Sequence, residues 1–310
     1  MERVSGTMSL LSRYKYLIIL GIVAFLAPLF YQFFWITTII YHEVVGLGET
    51  PYRSTIKDGE PQIPSIVHLI WKNNDTSTYP HHKSSPASWK ARYPEYIIKI
   101  WTDEQMSSLV EKEYTWLFPL FKSYEHNVQR ADVARLVVLH HEGGIYSDLD
   151  SFPNHQDLGH WRNAEIVVPA NSYGRSVTNH FLMAKKGSKF IEYALHELHQ
   201  HNRWIILPYL RVFWSTGPLF LAVQLKKWMK VHPDFDFVMI HVRELGQYVT
   251  HSGGRSWHSW DGYMLNLIAD NPDKLLLYLP MIFIFVVILC FVLFLIWRLG
   301  RRRRLDKDIN

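Results

Sequence analysis

The stretch Gly143-Gly144-Ile145-Tyr146-Ser147-Asp148-Leu149-Asp150 decides the fold of this 310-residue chain. Residues 127–141, just before it, carry apolar positions at helical spacing. The glycine pair ends that helix, because glycine readily adopts the positive φ of a C-terminal cap. Residues 145–147 then predict a short strand. The two aspartates follow at its carboxyl end, where open α/β sheets bind their ligands.

Strand and helix patterns alternate on both sides of this stretch, with no internal repeat. The predicted strands are 65–71, 96–101, 165–169 and 181–184, and the predicted helices are 86–93, 127–141, 189–203 and 218–231. Thr102 and Gln105 have the spacing of a capping box at a helix start. Alternation of this kind is typical of an α/β fold with a mainly parallel sheet.

Asp148 and Asp150 can direct carboxylate oxygens at one hard cation. Mg²⁺ or Mn²⁺ held in this way takes further ligands from substrate phosphates, which suits a nucleotide diphosphate as leaving group. An isolated Asp-x-Asp is more often a solvated turn. The interpretation therefore depends on what else the chain places beside it.

Asp132 and Arg135 lie one turn apart on the helix that leads into the stretch, and therefore share a face. They form either a surface ion pair of little energetic weight or a pair that contacts a sugar or ribose hydroxyl and a phosphate. The short helix–glycine–strand connection favours the second interpretation, because it brings this face close to Asp148 and Asp150.

Two apolar segments flank the predicted domain, and each is long enough to cross a bilayer. Residues 16–40 carry no charge, and residues 275–298 carry none before Arg298. The first segment is interpreted as a retained anchor; a cleavable signal sequence is the alternative. Basic residues before the first segment and after the second predict that both termini are cytosolic. The expected organisation is a cytosolic N-terminus (1–15), an anchor (16–40), a lumenal catalytic domain (44–272), a second transmembrane helix (275–298) and a basic cytosolic tail (299–310).

The net charge of +5 comes largely from that tail, and no basic–aromatic pattern indicates a nucleic-acid partner. The single cysteine, Cys290, lies in the second apolar segment, so ordinary core packing must hold the lumenal domain together. Asn74 begins an Asn-Asp-Thr acceptor sequence for glycosylation on the predicted lumenal side.

Three motifs in combination resemble glycosyltransferase family 32, the family with the DXD-containing sugar-binding region. They are Ile63-Pro64 with His68-Leu69-Ile70-Trp71, then Asp132-Val133-Ala134-Arg135, then the stretch 143–150. The resemblance continues through residues 179–184, 215–218 and 251–257, and covers about residues 62–262. Ala131 stands where serine is usual and Ser147 where leucine or valine is common, but neither departure removes a proposed ligand.

The resemblance implies a GT-A-type, Rossmann-like nucleotide-sugar-binding domain that uses Mn²⁺ or Mg²⁺ and retains the anomeric configuration. The expected metal ligands are Asp148, Asp150 and His251. The expected catalytic residues are Asp132, Arg135, Asp148 and Asp150. The expected substrate-binding residues are Trp71, Asp132, Arg135, Asn179 and Trp257. Core packing is an equal explanation for Trp71, a turn for Asn179, and an incidental match for His251.

Within the family, the chain resembles the inositol phosphoceramide mannosyltransferases most. This implies transfer of mannose from GDP-mannose to a lipid acceptor at the Golgi or another secretory-pathway membrane, with a membrane regulatory subunit as partner. Two alternatives remain open. One is a related transferase for glycan chains, with α-1,6-mannosyl, α-1,4-galactosyl or N-acetylglucosaminyl specificity. The other is an inactive membrane scaffold subunit.

Overall fold

The computed structural model describes residues 3–46, 59–73, 75, 84–171, 176–252 and 260–269. The chain divides into two compact units, residues 1–257 and 258–310. The first unit contains α1 (Arg3–Val45), β1 (Ile66–Trp71), α2 (Ser85–Arg92), β2 (Ile97–Thr102), α3 (Asp103–Glu113), α4 (Phe118–Ser123), α5 (Asn127–Glu142), β3 (Gly144–Ser147), β4 (Ser151–Pro153), a 3₁₀ helix (Gly159–Asn163), β5 (Ile166–Pro169), β6 (Phe181–Ala184), α6 (Lys189–His201), α7 (Pro208–Ser215), α8 (Pro218–Val231), β7 (Phe237–Ile240), α9 (Val242–Tyr248) and β8 (Val249–His251). The described part of the second unit is α10 (Trp260–Ala269). Each predicted strand and helix is confirmed, with ends that shift by one or two residues.

Six strands form the central sheet in the order β2-β1-β3-β6-β5-β7. β1 runs parallel to β2 and β3, and β5 runs parallel to β7. β6 is antiparallel to both of its neighbours, β3 and β5. The sheet is therefore parallel-rich but mixed, because the connection from β5 to β6 is too short for a crossover helix. β4 and β8 pair separately as a two-stranded antiparallel sheet.

The apolar core lies on both faces of the sheet. One buried cluster joins α5, α6 and α8 to the sheet, and the other surrounds Trp89, whose ring stacks on Phe181 at an interplanar angle of 5°. Helix α5 is buried along most of its length, including Asp132 and Arg135. These two polar residues lie in a region that otherwise excludes water, and they must therefore be satisfied within the protein.

The glycine pair ends α5 as expected, and the reason is close packing of β3 on β1. Gly143 and Gly144 have φ values of 70° and 108°, a region that favours glycine. A Cβ atom on Gly144 would lie 2.6 Å from the backbone oxygen of Ile66. The glycines therefore allow the strand that carries the two aspartates to begin directly beside β1.

Helix α1 is longer than the predicted anchor. Its stretch Val23–Glu43, with a mean hydropathy of 1.7, is long and apolar enough to cross a membrane. The helix continues through Val45, past the expected domain boundary at residue 44, and its C-terminal part contacts α7 and α8. The second predicted segment (275–298), the tail (299–310) and Asn74 lie outside the described residues.

Candidate active site

Asp148 and Asp150 lie in the turn that follows β3, at the carboxyl end of the strand. One ligand atom from each of Asp148, Asp150 and His251 lies within 4.8 Å of the other two. The Nε2 atom of His251 is 3.3 Å from Oδ1 of Asp150. The structure thus brings together the three residues that the sequence assigned to one metal site.

The small sheet explains how His251 reaches the aspartates. β4 begins one residue after Asp150, and Ser151 pairs with His251 across the β4–β8 ladder. The backbone NH of Ser252 also donates to the backbone oxygen of Asp150, at 2.9 Å. This pairing is non-local, so a pattern search along the chain cannot detect it.

His180 supports His251 from the other side. The two rings stack with centroids 4.4 Å apart, and the backbone oxygen of His180 accepts from the NH of Asp148 at 2.8 Å. Burial lowers the pKa of His180 to about 3, and the charge of His251 acts in the same direction. His180 is therefore neutral at physiological pH and adds no positive charge to the site. No motif in the sequence indicated this role for His180.

The carboxylate of Asp132, only 4% exposed, is held by three partners. Asn179 Nδ2 donates to Oδ1 at 3.0 Å, and the hydroxyl of Thr216 donates to Oδ2 at 2.9 Å. Arg135 Nη2 lies 2.9 Å from Oδ1. Burial raises the pKa of Asp132 to about 6, and Arg135, Thr216 and Asn179 each oppose that rise. The pair is buried, which excludes the interpretation as a surface ion pair.

Arg135 connects this carboxylate to the metal-site turn. Its Nη1 donates to the backbone oxygen of Asn179 at 2.6 Å and lies 3.6 Å from Oδ1 of Asp148. The guanidinium carbon is 4.8 Å from the ring centroid of Tyr146, whose hydroxyl donates to Asp148. Burial raises the pKa of Asp148, while Arg135 and the Tyr146 hydrogen bond lower it. Arg135 therefore lies between Asp132 and Asp148 and interacts with both carboxylates.

The donor set fits a divalent cation. Two carboxylates and an imidazole match the ligand preferences of Mn²⁺ more closely than those of Mg²⁺, which takes oxygen almost exclusively. Burial lowers the pKa of His251, but its hydrogen bond to Asp150 and the charges of both aspartates outweigh that effect and raise it. A bound cation would replace the proton on His251, because an imidazole nitrogen must be deprotonated to bind a metal.

A cavity of about 410 Å³ opens at the same edge of the sheet. It lies between the end of β1, the start of α3 and one side of α5, and its walls include Ile70, Asp103, Ser107, Arg130 and Ala131. Cavities of this size at the carboxyl edge of an α/β sheet commonly hold nucleotides. No local pattern in the sequence reveals it, because its walls come from four separate elements, β1, α3, α4 and α5.

Trp71, Asn179 and Trp257 are the remaining predicted substrate-binding residues. Trp71 ends β1, and its indole NH donates to the backbone oxygen of Asp75 at 2.9 Å. Asn179 donates to Asp132 through its side chain and accepts from Arg135 through its backbone oxygen. It therefore helps to hold these two residues in place. Trp257 lies outside the described residues. Thr216 was missed as a partner of Asp132, although it belongs to the quoted motif at 215–218.

Comparison with known proteins assigns the chain to an enzyme class. Residues 80–165 match the family described as the glycosyltransferase sugar-binding region containing the DXD motif. The match includes Asp132, Arg135 and both metal-site aspartates. The chain is a glycosyltransferase.

Two relatives from Schizosaccharomyces pombe extend the similarity over most of this glycosyltransferase. Inositol phosphoceramide mannosyltransferase 1 is 27% identical over 80% of this chain and 81% of that protein. Inositol phosphoceramide mannosyltransferase 2 is 31% identical over 66% of this chain, which spans 60% of that relative. Among solved structures, the PaToxG glycosyltransferase is similar with a TM-score of 0.43 and 17% identity, covering 64% of this chain and 79% of that one.

Proposed function

We propose that this glycosyltransferase transfers mannose from GDP-mannose to inositol phosphoceramide, with retention at the anomeric carbon. The observation that carries the proposal is the meeting of Asp148, Asp150 and His251 beside the buried Asp132–Arg135 pair. The names of both relatives support mannose as the sugar and inositol phosphoceramide as the acceptor. The resemblance of the sequence to the inositol phosphoceramide mannosyltransferases implies GDP as the nucleotide.

The proposed cofactor is Mn²⁺, with Mg²⁺ as the alternative, held by Asp148, Asp150 and His251. When bound, it would neutralise the charge that develops on the departing diphosphate. Two carboxylates formally neutralise such a cation, and its remaining coordination positions would be open to phosphate oxygens of the donor.

Arg135 supplies the second, permanent positive charge. It is 5% exposed and held by Asp132, Asn179 and Tyr146, so its guanidinium is already oriented when the donor arrives. A charge fixed in a site that excludes water stabilises a developing anion more strongly than a solvated one. We therefore assign Arg135 to the donor phosphates.

Asp132 positions Arg135 and retains some capacity to bind the sugar. A carboxylate has about four lone-pair directions, and three are occupied by Asn179, Thr216 and Arg135. One direction remains for a hydroxyl of the donor. The incoming acceptor hydroxyl attacks the anomeric carbon from the face that the diphosphate leaves, and an oxygen of the diphosphate accepts its proton.

The cavity beside α5 is the proposed nucleoside site. Arg130 and Ala131 line it, and they precede Asp132 directly on the same helix. A nucleotide seated there would direct its diphosphate towards Arg135 and the metal ligands. The exposed carboxylates of Asp103 and Glu104 at the entrance can accept from the N–H groups of guanine.

The proposed setting is a Golgi or related secretory membrane. Residues 16–40 form the first span and 275–298 the second, which leaves residues 1–15 and 299–310 in the cytosol and the catalytic domain in the lumen. A membrane regulatory subunit is the proposed protein partner, and no nucleic acid is involved.

The test uses the full-length chain purified in detergent, supplied with Mn²⁺. GDP-mannose, UDP-galactose and UDP-N-acetylglucosamine are each offered with inositol phosphoceramide and with an oligomannose glycan, and products are identified by mass spectrometry. Mannosylated sphingolipid from GDP-mannose alone is expected. Transfer to the glycan instead would favour the glycan-chain alternative. No transfer, together with no Mn²⁺-dependent nucleotide binding, would favour the scaffold alternative.

A matched pair of variants connects the activity to the site. Asp148→Asn removes one proposed metal ligand and should abolish transfer. Asp157→Asn makes the same change at an exposed aspartate of the following loop and should leave transfer unchanged. Equal activity in both variants would contradict the metal assignment.

A further inference from the structure

A braced apolar loop lies between α6 and α7. We call residues 203–207 the docking loop. Its side chains Trp204 and Ile206 are 56% and 57% exposed, whereas Ile205 between them is fully buried. Exposed large apolar side chains on a well-anchored backbone commonly mark a surface that contacts something in the cell.

The loop is held rigidly by Arg211 of α7. The Nε of Arg211 donates to the backbone oxygen of Ile205 at 3.0 Å, and its guanidinium lies 5.5 Å from the centre of the Trp204 ring. The same guanidinium pairs with Glu125. Trp204 and Ile206 are thus presented outward on a fixed support, and their exposure is not a consequence of a loose loop.

The docking loop is joined to the membrane-length helix α1 at Gln32. The side-chain amide of Gln32 accepts from the NH of Ile206 at 2.9 Å and donates to the backbone oxygen of Trp204 at 3.4 Å. The guanidinium of Arg203 lies 5.7 Å from the centre of the Trp35 ring. The loop therefore lies at a defined height on α1, next to Gln32 and Trp35.

The surroundings of α1 change at Gln32. The described side chains between Leu20 and Phe30 are all exposed. Beyond Gln32, one side of α1 packs on the domain, since Trp35 and His42 contact Trp214, while Phe33 and Phe34 on the other side stay exposed. The guanidinium of Arg203 lies beside Trp35 and would be costly to hold within hydrocarbon, so we place the end of the bilayer near Gln32.

The length of the uncharged segment agrees with this boundary. It begins at Tyr16, and about 20 helical residues, about 30 Å, cross a hydrocarbon core. Counted from Tyr16, the crossing ends close to Trp35, whereas a crossing over Val23–Glu43 would hold Arg203, beside Trp35, within hydrocarbon. Tryptophan is enriched at this level of a membrane because its ring is apolar and its NH is polar.

We propose that the docking loop rests in the interfacial layer of the bilayer that α1 crosses, with Trp204 and Ile206 inserted among the lipids. The proposal rests on the membrane anchor of the proposed function, and it places residues 36–40 of the expected anchor outside the hydrocarbon. Arg203 would meet lipid phosphates beside the inserted side chains.

The loop also sets the height of the active site. Helix α7 begins at Pro208, directly after the loop, and ends at Ser215, and the next residue, Thr216, donates to Asp132. Eight helical residues span about 12 Å. That length is the most by which α7 can separate the loop from Thr216, and such a limit suits an acceptor whose head group projects only a short way from the membrane.

The test measures depth without any substrate. The single cysteine is removed by Cys290→Ser, and Ile206→Cys or Ile97→Cys is labelled with an environment-sensitive nitrobenzoxadiazole dye. Ile97 is the matched control, because it is 56% exposed and lies on β2 at the far edge of the sheet. The full-length chain is reconstituted into phosphatidylcholine nanodiscs with or without lipids that carry a nitroxide near the head group.

The dye at position 206 should be quenched by the nitroxide severalfold more than the dye at position 97. Equal quenching would overturn the proposal. Protection from aqueous iodide without nitroxide quenching would also overturn it, because a protein partner or second copy would then cover the loop. Neither readout depends on the donor or the acceptor. A failure of this proposal can therefore be distinguished from a failure of the proposed reaction.

A functional readout completes the test. The double variant Trp204→Gln with Ile206→Gln should lower transfer to lipid acceptor in vesicles about tenfold, the factor that corresponds to about 1.4 kcal/mol of lost apolar burial. Transfer to a soluble inositol-phosphate head-group analogue should remain unchanged. An equal loss on both acceptors would indicate damage to the fold and contradict the proposal.

Discussion

The imidazole of His251 lies 3.3 Å from the carboxylate of Asp150 and stacks on the ring of His180. Asp150 can share a metal ion with His251, and His180 fixes the plane of the His251 ring. Because β8 carries His251 and β4 follows Asp150 directly, a single antiparallel pairing sets the position of His251 relative to Asp150.

His251→Ala should weaken Mn²⁺ binding by at least about tenfold, because one of three protein ligands is lost. Isothermal titration of the full-length chain with Mn²⁺ measures this directly. His155→Ala is the control, since His155 is exposed. An unchanged affinity in His251→Ala would show that the imidazole is not a ligand.

Thr216→Val should lower both stability and transfer, because it removes the hydroxyl that donates to Asp132 at 2.9 Å. A buried acceptor that loses its donor costs about 1–3 kcal/mol. Urea unfolding and the transfer assay measure the two effects.

Thr178→Val is the matched control for this substitution. The hydroxyl of Thr178 is buried, and the described residues provide it with no hydrogen-bond partner. Stability should be unchanged or raised in this variant. Equal losses in both variants would mean that the hydroxyl of Thr216 does not support Asp132.

Stability should fall as the pH drops below 6.5, because of His201. Burial lowers its pKa to about 4, and the charge of Lys227 acts in the same direction. Above pH 6.5 the group is neutral in both states. Below that, the unfolded chain gains the proton first, so up to about 3 kcal/mol of stability is lost by pH 4.

His201→Gln should flatten this part of the pH dependence, and thermal unfolding between pH 4 and 8 measures it. The side chain packs on Trp214 and Phe220, so the variant should also be less stable at neutral pH. His199→Gln changes an exposed histidine of the same helix and should retain the full pH dependence. If His201→Gln behaved identically to His199→Gln, another group would be responsible.

Gly144→Ala should destabilise the protein by about 2–4 kcal/mol, since a positive φ and a backbone clash are combined. The added Cβ would lie 2.6 Å from the backbone oxygen of Ile66, which forces β3 away from β1. Gly246→Ala is the control, because a Cβ there meets nothing within 4 Å. Thermal unfolding should separate the two variants, and similar midpoints would contradict the close approach of the strands.

Much of the fold was predictable because its signals are local. The apolar runs of β1 and β2, the capping box of Thr102 and Gln105 and the glycine pair after α5 each specify structure within a few residues. The reversed direction of β6 was not predictable, because strand direction depends on which neighbours the strand meets. The short β7 and β8 and the helix α7 were missed for the same reason: they are stabilised by packing more than by local preference.

Local sequence was enough to specify the α/β class, the DXD turn at the end of a strand, the shared face of Asp132 and Arg135, and an apolar segment of membrane length. These features follow from residue spacing and composition, which specify structure only over short stretches of the chain. Only the tertiary structure decided that Asp132 is buried against Thr216, that His180 supports His251, and that α1 is fastened to the docking loop through Gln32. Those contacts join residues far apart in the chain, and they form because burying the surrounding apolar surface brings them together.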